Sequence, residues 1–174
     1  MLMWAARVTE GLVFGGLEAS ALETLKGVPM LLESEDPRVR ERLLPETCEH
    51  ADAEADWRQH AVPELERLFA SRSALVRRDL AAVKKLQNYD AHVLLIPDGH
   101  ASAWLAALNG ARLALFALAG LSAKHLEAEG FEGASPKQQE AVLRIHLMAE
   151  LQSVLLGDLE VDDTGVSFRD FLVE

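Results

Sequence analysis

Apolar positions recur along the chain at two spacings. Near the N-terminus, Trp4–Val8 and Leu12–Phe14 flank Thr9-Glu10-Gly11, which predicts a small hairpin turning on Gly11. Gly15-Gly16 then predicts release of the chain into a short helix over Leu17–Lys26, closed by Gly27 with Pro29 beyond it. A two-stranded hairpin needs support, and the apolar run Val93–Ile96 supplies the natural third strand. After Pro63, Leu65, Leu68, Phe69, Leu75, Val76, Leu80, Val83 and Leu86 repeat at helical spacing, which predicts one long amphipathic helix ending near Asn88. Pro63 either kinks a helix that starts at Asp52 or opens a new one. The stretch from Glu33 to Glu54, broken by Pro37 and Pro45, reads as an acidic loop with a helical turn at Val39–Leu44.

The two helices that follow are the best marked. The first spans 99–119, with Asp98 placed to cap its first turn and Gly120 to end it. The second spans 135–156. Ser135-Pro136-Lys137-Gln138 forms a capping box with proline at the first helical position, and Gly157 ends the helix. Beyond it, Leu159–Val161 and Val166–Phe168 predict a second hairpin around Asp162–Gly165.

Placed at 100° per residue, the faces of these helices are unusual. On the first, Ala103, Ala106, Ala107, Gly110, Ala114 and Ala117 form a small-residue side that lets another helix approach closely. On the second, Glu140 and Arg144 form one polar stripe, and His146, Glu150 and Ser153 another on nearly the opposite side. A helix with two polar lines between apolar walls is either central or lines a groove. Because a buried guanidinium must be paired, Arg112 on the first helix predicts a contact with Glu150, with Asn109 and Gln152 nearby. That cluster, with His146, reads as a structural clasp or as a ligand or catalytic site.

The 174-residue chain is 49% apolar and 6% aromatic, which excludes wholesale disorder and fits one domain, residues 1–174. Its single cysteine, Cys48, excludes an intrachain disulfide framework and fits a reducing compartment. No basic, apolar leader opens it. The net charge is −11, distributed as −7 over Glu33–Glu66, +4 over Arg67–Ala91 and −8 from His125 onward. That field opposes nucleic acid and anionic membranes. Ala101–Leu121 is long enough to span a bilayer, but Arg112 near its middle would cost about 2.5–3.5 kcal/mol there, so it reads as a buried core helix with no membrane role.

The run from Cys48 to Asp56, with His50 and His60, mixes metal-ligating types but matches no zinc spacing, so neither metal nor cofactor is expected. The tail from Asp158 to Arg169 fails the EF-hand template, because Asp163 stands where glycine is required and Arg169 where the bidentate glutamate belongs. There is no glycine-rich phosphate loop and no nucleophile elbow. His92, His100 and His125 read as surface or capping residues. Arg67, Arg77, Arg78, Lys84 and Lys85 form the one basic stripe, with Tyr89 its only neighbouring aromatic. The stripe reads as a solvated helix face meeting the acidic Glu33–Glu66 segment. A nucleic-acid-binding regulator is the weaker alternative.

The run from Ala103 to Leu115, AWLAALNGARLAL, resembles the core of a bacterial domain-of-unknown-function family, number two thousand and seventeen. His146–Leu155, with Leu151-Gln152-Ser153, is similar to that family's closing helix, and Pro45–Arg58 to its acidic run ending in an aromatic and an arginine. The resemblance implies a cytosolic protein with no assigned activity or cofactor. It also implies genes that often lie beside the adaptor of the Clp protease, and so a link to regulated proteolysis. No catalytic residue is carried over.

These readings predict a mainly helical α+β domain, a helical bundle core with a small antiparallel sheet from the N-terminal hairpin and one central strand. The leading function is a non-catalytic cytoplasmic interaction or regulatory protein with a protein partner, either another protein or a second copy docked through a helix face. The alternative is an enzyme or small-ligand binder using Asn109, Arg112, His146, Glu150 and Gln152.

Overall fold

The computed structural model describes residues 3–86 and 90–172. Strand β1 (Trp4–Val8) turns into β2 (Gly11–Leu17), followed by helices α1 (Ala19–Leu32), α2 (Pro37–Leu43), α3 (Ala51–His60) and α4 (Val62–Ala81). Strands β3 (Lys84–Lys85) and β4 (His92–Pro97) lead into α5 (Ala101–Leu118). Then come α6 (Ala128–Glu132), α7 (Pro136–Leu156), β5 (Asp162–Asp163) and α8 (Phe168–Phe171). The fold is α+β, as the pattern predicts, with α1, α4 and α7 packed around α5.

The sheet is larger than the expected three strands. Its order is β3-β4-β2-β1-β5, antiparallel except for β5, which lies parallel to β1. β2 occupies the centre and is buried throughout. Leu12, Phe14, Leu94 and Ile96 face the helical core, whereas Val8, Val13 and Val93 face a second, smaller cluster. A sheet covered on both faces explains why β4 reads as a continuous apolar run. The second cover is α8, whose Phe168 and Phe171 pack there, with Phe171 5.6 Å from the Trp4 ring. The expected C-terminal hairpin is therefore absent. Thr164 and Val166 bond back to Arg7 and Thr9 instead of to each other's strand.

Gly15-Gly16 does not release the chain. β2 continues through the pair with a register shift between Phe14 and Leu17. Gly16 supplies a positive φ of 69°, and a Cβ on Gly15 would overlap the Trp4 ring. Helix α1 likewise runs past Gly27 and Pro29 to Leu32. Leu25, Val28 and Leu32 are buried on one face, and that burial outweighs the amide lost at Pro29.

Pro63 opens a new helix, because α3 ends at His60 and α4 carries the proline in its first turn. α4 ends at Ala81, not near Asn88, and Lys84–Lys85 pair with β4 as a sheet edge. Asn88 and Tyr89 lie outside the described residues. The expected turn at Val39–Leu44 is part of α2, which starts at Pro37, ends at Leu43 and is capped by the Asp36 carboxylate accepting from the Arg38 amide.

α5 and α7 keep close to the expected limits. α5 follows a short 3₁₀ turn, Asp98–His100, and Asp98 does not cap it. The Asp98 carboxylate accepts instead from Arg7 at 3.0 Å. Gly120 (φ 61°) and Gly157 (φ 79°) end the two helices, with Leu121 and Asp158 amides donating back to Phe116 and Ser153. The small-residue side of α5 admits α1: a Cβ on Gly110 would come within 2.6 Å of Leu32. The segment Asp98–Leu118 is apolar and long enough to cross a membrane, with mean hydropathy 1.4. Here its Trp104, Ala107, Leu108, Ala111 and Ala114 are fully buried against neighbouring helices.

Candidate functional site

The expected cluster on α5 and α7 is not assembled. Arg112 does not reach Glu150. Its Nη1 donates to Gln152 Oε1 at 2.6 Å, and Gln152 Nε2 donates to the Leu105 carbonyl at 3.1 Å. The Arg112 Nε is buried without a hydrogen-bond partner among the described residues. Helical phase explains the difference. Glu150 and Gln152 are two residues apart, which is about 200° around the helix. Since Ala141, Ile145 and Met148 set the buried side, Gln152 faces α5 while Glu150 and His146 face water. Asn109 is also exposed. α7 is thus one-sided, and its His146–Glu150 stripe is a solvent face.

A different polar group lies within the core. Asp79 on α4, only 7% exposed, accepts from Trp104 Nε1 at 2.8 Å and lies 2.9 Å from His100 Nδ1. Trp104 is completely buried, so its indole N–H needs this acceptor. A carboxylate only accepts, so His100 Nδ1 donates to it, which leaves the ring's Nε2 to other partners. No nucleophilic side chain among the described residues bonds to that nitrogen. The group therefore clamps α4 to the start of α5. Two signals could have revealed it: an aspartate inside the apolar stripe of α4, and a tryptophan on a core helix with a donor to satisfy.

The basic stripe is divided. Arg67, Arg77 and Arg78 stand on α4, whereas Lys84 and Lys85 stand on β3. Arg77 pairs with Glu33, as expected of a face meeting the acidic segment, while Arg67 pairs with Glu64 and Lys85 with Asp90. The Arg77 guanidinium holds the Glu33 carboxyl below its ordinary value. Arg78 and Lys84 pair with no acid among the described residues.

Around Cys48 the acids serve local structure. Glu54 accepts from the Thr47 and Cys48 amides, which lowers its pKa, and pairs with Arg58 at 2.8 Å. Among the described residues, no three His, Cys, Asp or Glu side chains are arranged to hold a metal.

Two concave regions stand out among the described residues. One follows α2, with adjoining clefts of about 270 and about 540 Å³ that share Glu35, Arg40 and Leu44. Glu66 and Glu35 occupy Arg40, and the other acids around it carry the sign of the whole chain. The other runs between α1 and α7 over α5. Its two clefts, of about 320 and about 260 Å³, share Leu115 and Arg144 and so form one groove. Leu31, Leu115, Leu118 and Met148 form the floor, and Met30 stands at the lip, 70% exposed. Lys26, Arg38, Lys137 and Arg144 line it against only two acids, Glu23 and Glu140, on a chain of net charge −11. The groove is not legible as a stripe in the sequence, because its cations come one or two at a time from three elements distant along the chain.

No curated protein matches the chain, and no solved structure does. The family model described as Domain of unknown function (DUF2017) matches residues 6–159.

Proposed function

Since the chain belongs to the DUF2017 family, whose description names no activity, we propose from its own surface that it is a non-catalytic protein-binding module. The α1/α5/α7 groove is its docking site. One observation carries the reading: an apolar floor with a cationic rim on a molecule of net charge −11, with Met30 exposed at its edge. Met30 extends the apolar floor out to solvent, and methionine adapts to the partner it meets. A free cysteine suits a cytoplasmic setting. The gene neighbourhood that the family resemblance implies supports a role in regulated proteolysis, where a binding module presents or withholds a partner.

The test is site-specific photo-crosslinking from position 30 in native cell extract, with Arg144→Glu and an exposed α7 site, Leu143, as controls. A defined partner crosslinked at position 30, lost in Arg144→Glu and absent at position 143, is the expected result. Equal capture at both positions, or none at position 30, refutes docking in the groove.

A further inference from the structure

We infer that the occupant of this groove is an acidic amphipathic helix, an inference that rests on the docking reading above and names the chemistry of the partner. Three features of the groove set that chemistry.

Length comes first. The lining runs from Glu23 to Leu31 on α1 and from Lys137 to Met148 on α7. At 1.5 Å per residue these are about 12 and about 16 Å, or two to three helical turns. An occupant helix of about ten residues spans that distance, and it packs into the furrow between two helices as any third helix does.

Spacing comes second. The groove has two apolar basins that meet at Leu115, one lined by Leu31 and Met148 and the other by Leu118 and Ala119. Two neighbouring basins on one line suit anchors at i and i+4 or i+7 of a helix, the usual pattern of helix-in-groove recognition.

Charge comes third. Lys26 and Arg144 flank the first basin, and Arg38, Lys137 and Arg144 the second. Lys26 and Arg144 rest on exposed acids, Glu23 and Glu140, whereas Arg38 is held by both oxygens of the half-buried Asp36 and is not free to exchange. Exposed pairs of this kind are weak, so acids on an incoming helix compete for the same cations. Lys137 pairs with no acid among the described residues. A basic helix would instead set its charges against Lys26, Lys137 and Arg144 at contact distance, and a neutral one would leave those cations unmatched. A second copy through its own groove would oppose like charges across the two-fold, which disfavours that occupant.

The experiment uses the full chain and two labelled helical peptides with leucine at i, i+4 and i+7, one flanked by glutamates and the other by lysines. Binding is read by fluorescence anisotropy at low and physiological salt. The Glu-flanked peptide binds at least tenfold more tightly than the Lys-flanked one, and the difference shrinks as salt rises. Met30→Asp weakens the Glu-flanked peptide at least fivefold. The double variant Lys26→Glu/Lys137→Glu, whose side chains are on the groove rim, reverses the preference while circular dichroism and melting stay unchanged.

Equal binding of the two peptides, or no binding of the Glu-flanked one, overturns the inference. So does self-association in sedimentation that Met30→Asp abolishes, because the occupant is then a second copy. Crosslinking at position 30 without a preference for the Glu-flanked peptide leaves docking intact and removes only the acidic partner. Failure of both experiments removes the docking reading itself.

Discussion

Replacing Asp79 with alanine tests whether the buried clamp between α4 and α5 sets the stability of the helical core. The substitution deprives a completely buried indole N–H of its acceptor and removes the partner of His100 Nδ1. An unsatisfied buried donor costs about 1–3 kcal/mol, and a hydrogen bond to a charged group is worth about 1.5–3 kcal/mol. Relief of the carboxylate's desolvation offsets part of this loss. The expected net loss is about 3 kcal/mol, or roughly 6–12 °C in Tm for a chain of this size. Asp79→Asn keeps an oxygen for Trp104 and should lose about half as much.

Urea denaturation of the wild type, Asp79→Ala, Trp104→Phe and the double variant closes a thermodynamic cycle. Coupling of about 1–2 kcal/mol between Asp79 and Trp104 is expected, because the second substitution costs little once the first has broken the bond. A Tm for Asp79→Ala within about 2 °C of wild type, or additive effects of the two substitutions, would refute the assignment of the clamp.

Three further outcomes follow from other contacts. Gln152→Ala should lower stability by about 1–2 kcal/mol, because it strips both Arg112 and the Leu105 carbonyl of a partner, whereas Glu150→Gln should stay within about 0.5 kcal/mol; paired urea melts decide it. Gly15→Ala should displace the Trp4 ring from Phe171 and cost about 1–3 kcal/mol, seen as a red shift in tryptophan emission and a lower urea midpoint. Glu33 titrates below its ordinary value of 4.5 because Arg77 stabilises the anion. Its contribution is therefore full above that value and is lost as pH falls through the lowered one. Arg77→Ala should remove part of the stability lost on acidification below pH 4.5, and 1 M salt should shrink the difference.

The elements that were legible in the sequence carry local signals. The capping box at Ser135, the glycines at 120 and 157 and the proline at 63 act within a turn of their own residues, and the structure places helix ends at each. Elements that were not legible depend on distant partners. α1 overrides Gly27 and Pro29 because Leu25, Val28 and Leu32 find a buried face, which propensity cannot register. The two residues of β3 and the two of β5 are strands only because β4 and β1 offer them an edge. The Arg112 contact failed for a related reason. Charge complementarity chose Glu150, but the core side of α7, set by Ala141, Ile145 and Met148, turned Gln152 inward instead. Complementary charge names a partner only after phase has been settled by burial.

The pairing of Ala6 with Asp162 gives the fold a timetable. β1 leaves the ribosome early, but the segment that covers its free edge lies 156 positions later in the chain. At usual elongation speeds of about 5–20 residues per second, that gap lasts roughly 8–30 s. For that interval the β1 edge of the nascent sheet offers its unmatched amides and carbonyls to anything nearby, and the β2 edge does so until β4 follows. Chaperones that shield strand edges therefore have a defined window in which to act on this protein, and it shuts when Asp162 and Asp163 are delivered.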